Sequence, residues 1–226
     1  MDENNRAAAS QQIRLHQLVY PDERVVVFLA KNYPGRDTNK QRRALDVGCG
    51  SGRHLRLLLD YGFQSYGIDY SQDAIDVARN LIDKHSLLKE LKAVDLAASP
   101  YPDSFFQVVI CWGAIFLRPL NEMLKDLQTI HRLLCPGGQA VLNFRSKENW
   151  FYGKGVSPNG QETYLLDENA GAYKGMCYTF VDLDQAETLL KDAGFEIENS
   201  ERVDLWERNC TKQHSWWVFW VRKLRS

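Results

Sequence analysis

Arg43-Ala44-Leu45-Asp46-Val47-Gly48-Cys49-Gly50-Ser51-Gly52 is the stretch on which the reading of this chain turns. Residues 43–47 form a short, mostly apolar run of the kind that makes a buried strand. Glycines at 48, 50 and 52 follow, a composition that lets the backbone turn tightly and leaves bare peptide groups open to a ligand. Leu55, Leu58 and Leu59 then recur at helical spacing until Gly62. Strand, glycine turn and helix together are the opening of a βαβ unit.

The glycine spacing narrows what the turn is built for. A dinucleotide fingerprint, GxGxxG, needs its third glycine at residue 53 or 55, where this chain has Arg53 and Leu55. A phosphate-cradling GxxxxGK loop needs a lysine that does not stand close behind Gly52. The turn therefore suits close backbone approach rather than a pyrophosphate. That weakens the reading as an NAD(P)-dependent oxidoreductase.

The alternation continues outward. Residues 63–68, 91–94, 105–112 and 139–144 read as strands, with 105–112, the fourth of the chain, apolar enough to lie between two covering layers. Ser71 is placed to cap a helix over 72–84. Leu120, Leu124, Leu127 and Leu134 carry another helix toward the sheet, and Pro136-Gly137-Gly138 reads as the turn after it. Upstream, residues 7–31 read as two helical pieces broken at Tyr20-Pro21, with 32–41 as a polar connector. Residues 145–180 break the rhythm: they are rich in Gly, Asn and Tyr and keep no period, the mark of a functional or mobile segment. Asp182 with Gln185 makes a capping box for a helix that Gly194 ends, and residues 195–203 and 215–221 close as two more strands.

Composition bounds the function. At 226 residues, 44% hydrophobic and 25% charged, the chain is an ordinary domain with enough material for a full core. Lys+Arg 28 against Asp+Glu 29 gives a net charge of -1, which points neither to nucleic acid nor to an acidic tail. There is no apolar run of membrane-spanning length. The polar start Met1-Asp2-Glu3-Asn4-Asn5 sets the expectation of no secretory leader. The five cysteines lie at least 24 residues apart, so they read as reduced thiols of a cytoplasmic protein, with no metal site. The aromatic run Trp216-Trp217-Val218-Phe219-Trp220 reads as a strand packed on both faces, or with one face on a partner subunit as in a homodimer.

Three strand ends carry a carboxylate: Asp46, Asp69 and Asp95. Asp69 stands 17 residues after Gly52, where an acceptor can take both hydroxyls of a ribose. These residues resemble the class I S-adenosylmethionine-dependent methyltransferases. The likeness rests on residues 45–52, on Gly67-Ile68-Asp69, on Asp95-Leu96, on Leu133-Leu134-Cys135-Pro136-Gly137-Gly138 and on residues 189–195. It implies an α/β, Rossmann-like three-layer sandwich, with a seven-stranded, mostly parallel sheet whose last strand is antiparallel. The likeness covers roughly residues 42–223 except 145–180. The chain as a whole is expected to be one domain over 1–226, with 1–40 as a helical cap and, if the sheet is wound as in that family, 145–180 as an inserted segment over the substrate.

The resemblance implies roles for single residues. Gly48, Cys49, Gly50 and Gly52 would pass their backbone beside the methionine portion of S-adenosylmethionine, with Asp46 just before them. Asp69 would hold the ribose, Tyr70 would pack on the adenine, and Asp95 would accept from the adenine amine beside Leu96. Cys111, Trp112 and Gly113 would meet the methionine amine or the sulfonium, and S-adenosylhomocysteine would be the product. For Asp46 and Gly52 a purely folding role stands equally open. An adenosyl-binding sensor or subunit without turnover would use the same residues.

Methyl transfer from a sulfonium is a direct displacement, so alignment does much of the work and no catalytic triad is required. The segment after the fourth strand, Cys111-Trp112-Gly113-Ala114-Ile115-Phe116, lacks the proline pair of base-methylating enzymes. Cys135-Pro136 likewise reverses the Pro-Cys order of a pyrimidine-carbon nucleophile. Nucleic acid is thereby disfavoured, and a small-molecule O or N acceptor is the expectation. Tyr20, Phe116, Arg145, Tyr152 and Tyr178 are the candidate acceptor contacts, with the aromatics suited to a flat or cationic acceptor and Arg145 to a carboxylate or phosphate. No catalytic residue is assigned.

Overall fold

β1 (Arg43–Val47) lies between β2 (Gln64–Asp69) and β4 (Phe106–Cys111), parallel to both, with Val47 level with Ile68 and Cys111. This is the computed structural model of the chain, which describes residues 18–225 except 83, 159 and 161. The first expected helical piece, from residue 7 to the break at Tyr20-Pro21, lies outside those residues up to 17, and residues 18–20 are not helical. β3 (Leu88–Ala93) extends the sheet beyond β2, and β5 (Leu134–Ser146) lies beyond β4, both parallel. β9 (Lys212–Lys223) pairs antiparallel with β5, and β8 (Phe195–Glu207) pairs with β9 as the edge. These are the seven expected strands, in the order 3-2-1-4-5-9-8 with β9 antiparallel to its neighbours.

Helices cover both faces. α1 (Glu23–Asn32) and α3 (Arg53–Asp60) pack Val25, Phe28, Leu29, Leu55, Leu58 and Leu59 against Val108, Val141 and Val218. α2 (Arg36–Asn39) is a single turn before β1, and α4 (Gln72–Ile82) adds Ile82 to the same layer. On the opposite face α5 (Leu120–Leu133) and α6 (Leu183–Asp192) bury Met123, Leu127, Ile130, Ala186 and Leu190 against Leu142, Phe144 and Phe219. Full burial of each Leu or Phe is worth roughly 1.5–3 kcal/mol, so the two layers supply the bulk of the driving force. The run at Trp216 is explained within one chain. Val218 and Trp220 face one layer while Phe219 and Val221 face the other.

Two differences from the sequence reading matter. Pro136-Gly137-Gly138 is no free turn but the irregular start of β5, where the register against β4 shifts between Phe106 and Val108. Residues 145–180 hold a further hairpin, β6 (Thr163–Leu165) with β7 (Cys177–Val181). β7 joins the main sheet, with Phe180 and Val181 level with Arg145 and Ser146 of β5. Arg145 also pairs with Trp216 of β9, so β7 and β9 flank it on opposite sides. The hairpin thus occupies the space beyond the end of β4, and its core of Phe116, Phe151, Tyr178 and Phe180 is separate from the two main layers.

Candidate functional site

A cavity of about 520 Å³ opens at the carboxyl edge of the parallel strands, within the size range of small-molecule sites. Residues 47–51, 68–70, 94–96 and 111–118 form one half, and Asn143, Arg145, Tyr173, Met176, Tyr178 and Trp216 form the other. Strand ends converge here because every crossover in a parallel sheet returns to the opposite edge.

The first half is backbone and carboxylate. Gly48 has φ +66°, and a Cβ there would meet that of Ala114 at 2.7 Å, so only glycine lets the turn lie under the next loop. Gly52, at φ +85°, starts α3 and packs against Ala78 of α4. Gly52 does not line the cavity; of the two roles open to it, helix packing is the one the structure displays. Asp69 is buried at the cavity wall, and its oxygens accept the N–H groups of Gly50 at 3.0 Å and Ser71 at 2.9 Å. One bond on each oxygen leaves lone pairs for two further donors, which fits a cis-diol. Burial pushes this carboxyl up, while the two amide bonds pull it back.

Asp46 sits beneath the turn rather than in the cavity wall. Its Oδ2 is buried without a hydrogen-bond partner, and burial pushes its carboxyl up to about 8, opposed by Arg53. Asp95 lines the cavity, but its Oδ1 already accepts from the Ala97 N–H at 3.2 Å and from the Arg118 guanidinium. Arg118 also pairs with Asp126 at 3.0 Å and with Glu122 at 3.4 Å. Desolvation raises Asp126 to about 6 despite that pairing. Asp95 therefore belongs to a four-residue ion cluster that fixes the wall between β3 and α5.

The middle of the cavity is set by Gly113, whose N–H donates to Asn143 Oδ1 at 2.8 Å across β4 and β5. Trp112 stands edge-on to His54 at 6.3 Å. His54 accepts the Asp22 N–H on Nε2 at 3.1 Å, and burial lowers its pKa to about 3. It is a neutral, buried wall residue rather than a base.

In the second half, Arg145 is 7% exposed and lines the cavity. Its guanidinium carbon lies 4.1 Å from the ring centre of Tyr178, 4.6 Å from Phe116, 5.2 Å from Phe151 and 5.8 Å from Trp216. Nε and Nη1 are buried and donate to nothing among the described residues. Burial lowers its pKa, with Tyr178 and Tyr173 opposing.

Of the residues expected from sequence, Gly48, Cys49, Gly50, Asp69, Tyr70, Asp95, Leu96, Cys111, Trp112, Gly113, Phe116, Arg145 and Tyr178 line one cavity. Tyr20 does not: it is 85% exposed, turned to solvent where Pro21 breaks the chain, and Leu18 and Asp22 face the cavity instead. Tyr152 does not either, because its hydroxyl donates to Glu162 at 2.8 Å and its ring packs on Tyr164 outside the cavity. Sequence reasoning missed Arg118, Asn143 and Trp216 as lining residues. Asn143 had a signal, an amide in an otherwise apolar strand; Arg118 had only a local one, Glu122 four residues on, while Asp95, the partner that brings it to the cavity wall, lies 23 residues away. Among the described residues no group of three or more His, Cys, Asp or Glu is arranged to hold a metal.

Residues 44–138 match a family described as "Methyltransferase domain". The chain is 26% identical over 195 residues to the tRNA U34 carboxymethyltransferase of Hydrogenovibrio crunogenus, covering 83% of this chain and 54% of that one. It is 27% identical over 172 residues to the 27-O-demethylrifamycin SV methyltransferase of Amycolatopsis mediterranei, covering 74% and 58%. It thus spans little more than half the length of these curated relatives. In fold it is similar to the 1,6-didemethyltoxoflavin-N1-methyltransferase of Burkholderia thailandensis, solved with 1,6-didemethyltoxoflavin and S-adenosylhomocysteine. That match has a TM-score of 0.71 at 17% identity over 99% of this chain and 92% of that one. The matched residues run from β1 to the start of β5 and contain the whole first half of the cavity; that part of the chain matches the methyltransferase-domain family, and the chain as a whole has the fold of the class I S-adenosylmethionine-dependent methyltransferases.

Proposed function

We propose that this chain is an S-adenosylmethionine-dependent methyltransferase acting on an O or N atom of a small molecule. The observation that carries the reading is the single cavity joining a ribose-suited carboxylate, Asp69, to an aromatic lobe through the Gly113 turn. Gly48, Cys49 and Gly50 would bring backbone against the donor, Asp69 would hold its ribose, and Tyr70 and Leu96 would flank its adenine. The bound donor supplies an electrophilic methyl; the protein's part is to align the acceptor and exclude water. Phe116, Arg145 and Tyr178 would contact the acceptor. His54, the one histidine among the described residues that line the cavity, is neutral and already accepts a hydrogen bond, so it is not set as a general base.

A nucleic-acid acceptor is less well supported, although one relative is named for tRNA. The two small basic clusters, Lys40 with Arg42 and Arg43, and Arg222 with Lys223 and Arg225, are largely engaged within the chain. Lys40 pairs with Asp37 at 2.7 Å, Arg42 donates to Asn39 Oδ1 at 2.8 Å, Arg43 stacks 4.1 Å from Phe105, Arg222 pairs with Glu198 and Lys223 donates to the Leu134 carbonyl at 2.9 Å. They also lie at the opposite edge of the sheet, since Arg43 begins β1 and Arg222 is level with Gln139 near the start of β5. We read the chain as one domain, with residues 145–180 as the acceptor-covering insertion, and as cytoplasmic. Among the described residues no helix is long and apolar enough to cross a membrane. The test is calorimetric titration with S-adenosylhomocysteine, followed by transfer of labelled methyl to a metabolite panel. Tight binding with turnover supports the reading; binding without turnover on any small molecule would favour a sensor or an RNA acceptor, and absence of binding would defeat it.

A further inference from the structure

The aromatic lobe has the composition of a cage for a cation, yet it already contains one. Rings from four separate segments surround Arg145: Phe116 after β4, Phe151 after β5, Tyr178 on β7 and Trp216 on β9. Such stacking stabilises a desolvated guanidinium without neutralising it. No carboxylate among the described residues pairs with it. The acids of the neighbouring segments are engaged elsewhere: Glu162 with Lys147 and Tyr152, Asp182 with Lys147, and Glu207 with His214. The other titratable groups facing Arg145 are Tyr173, Tyr178 and His214, none of them a carboxylate; burial and Arg145 itself both hold His214 below its usual value. A second cation entering this half would meet an uncompensated charge at low dielectric.

The placement relative to the donor half is set by the pleat. Asn143 and Arg145 project from the same face of β5, both into the cavity, about 7 Å apart along the strand. Asn143 holds the Gly113 N–H, so the guanidinium stands roughly one strand repeat beyond the turn where the two halves meet. Nε and Nη1 are buried without a partner, and each forms a two-pronged edge of the guanidinium together with Nη2; a planar oxyanion is the group that such an edge binds in fork geometry.

Resting on the methyltransferase reading, we infer that Arg145 is the anion-binding residue of the acceptor subsite, and that the acceptor carries a carboxylate or phosphate on a flat apolar body. The rings that hold Arg145 then also line the path for that body. A cationic acceptor is disfavoured, which corrects one of the two options that the aromatic composition alone left open.

The test uses the full chain saturated with S-adenosylhomocysteine and four probes of similar size: benzoate, phenyl phosphate, benzamide and benzylammonium. Binding is followed by calorimetry. One of the two anions is expected to bind at least about tenfold more tightly than benzamide, with benzylammonium weakest. Comparison of benzoate with phenyl phosphate separates the carboxylate from the phosphate acceptor. Arg145→Met should abolish the preference for the anion while changing S-adenosylhomocysteine affinity less than about twofold, and Arg145→Lys should retain part of it, because charge remains without the fork. Equal binding of neutral and anionic probes by the unaltered chain overturns the inference. So does failure of both anions to bind at millimolar concentration, or a preference that survives in Arg145→Met. If Arg145→Met does not fold, the probe series on the unaltered chain decides alone. Failure of S-adenosylhomocysteine itself to bind overturns the methyltransferase reading instead, and this inference with it.

Discussion

Asp69 Oδ2 accepts the Gly50 N–H at 3.0 Å, which fastens the end of β2 to the glycine turn after β1 across 19 residues. The carboxylate that is suited to a ribose is therefore also the brace of the loop beside it. Asp69→Ala should lower S-adenosylhomocysteine affinity at least about tenfold, since it removes charged hydrogen bonds and leaves the Gly50 donor unpaired. Calorimetry on the folded variant checks this, and unchanged affinity would take Asp69 out of the site.

Gly48→Ala combines a left-handed backbone with a 2.7 Å approach to the Ala114 Cβ. The left-handed conformation alone costs a non-glycine residue roughly 1–2 kcal/mol. Stability by urea titration should fall by more than that, and Gly48→Ala with Ala114→Gly should recover the steric part only. Full recovery in the double variant would mean that the backbone conformation is not strained.

Arg118 serves three acids, Asp95, Glu122 and Asp126, with its side chain 13% exposed. Arg118→Ala leaves Asp126 buried with no cation beside it, so unfolding should become easier by about 3 kcal/mol. Donor affinity should fall as well, because the Asp95 wall is released. Adding Asp126→Asn should restore most of the stability and none of the affinity.

Asp46 gives a pH signature whose sign is unusual for a carboxyl. Its folded pKa of about 8 lies above the unfolded value near 3.8, so the native state holds a proton that the unfolded state has lost. Stability therefore falls as pH rises between those values, by roughly 1.4 kcal/mol per unit while the carboxyl stays protonated. His54 acts in the opposite sense between about 3 and 6.5, where only the unfolded state takes up the proton. The Asp46 effect is thus read cleanly from about pH 6.5 to 8. Asp46→Asn should show a flatter urea midpoint over that window, and identical slopes would place the carboxyl in contact with water.

Tyr178→Phe should alter methyl-transfer kinetics far more than donor affinity, because Tyr178 belongs to the lobe and not to the strand ends that form the donor half. Parallel calorimetry and kinetics on the one variant check it. Equal losses in both would make the lobe a support for the donor rather than an acceptor cover.

Much of this arrangement was legible in the residues themselves. β1 was bounded correctly because an apolar run meets a glycine turn, and Asp69 was found because it ends a strand at a telling distance from that turn. The hairpin within 145–180 was hidden for two physical reasons. β6 is only three residues long, and glycines around it erase any period. β7 did carry a signal, the β-branched and aromatic run Cys177-Tyr178-Thr179-Phe180-Val181. The ion cluster on Arg118 was only partly legible: Glu122 stands at helical spacing from it, but nothing local tells that Asp95, 23 residues away, completes the cluster. Tyr20 and Tyr152 misled for the same reason: an aromatic beside a site in sequence can turn outward, and only packing decides.

The four rings around Arg145 have a practical consequence for anyone seeking to retarget this protein. Two of them, Phe151 and Tyr178, travel with the inserted segment, while Phe116 and Trp216 stay with the scaffold. A chimera that imports a relative's 146–181 alone would confront half a foreign box with half a native one, around an arginine that only the native half was shaped to hold. The transplantable unit is a set of four short, discontinuous pieces anchored on one strand position.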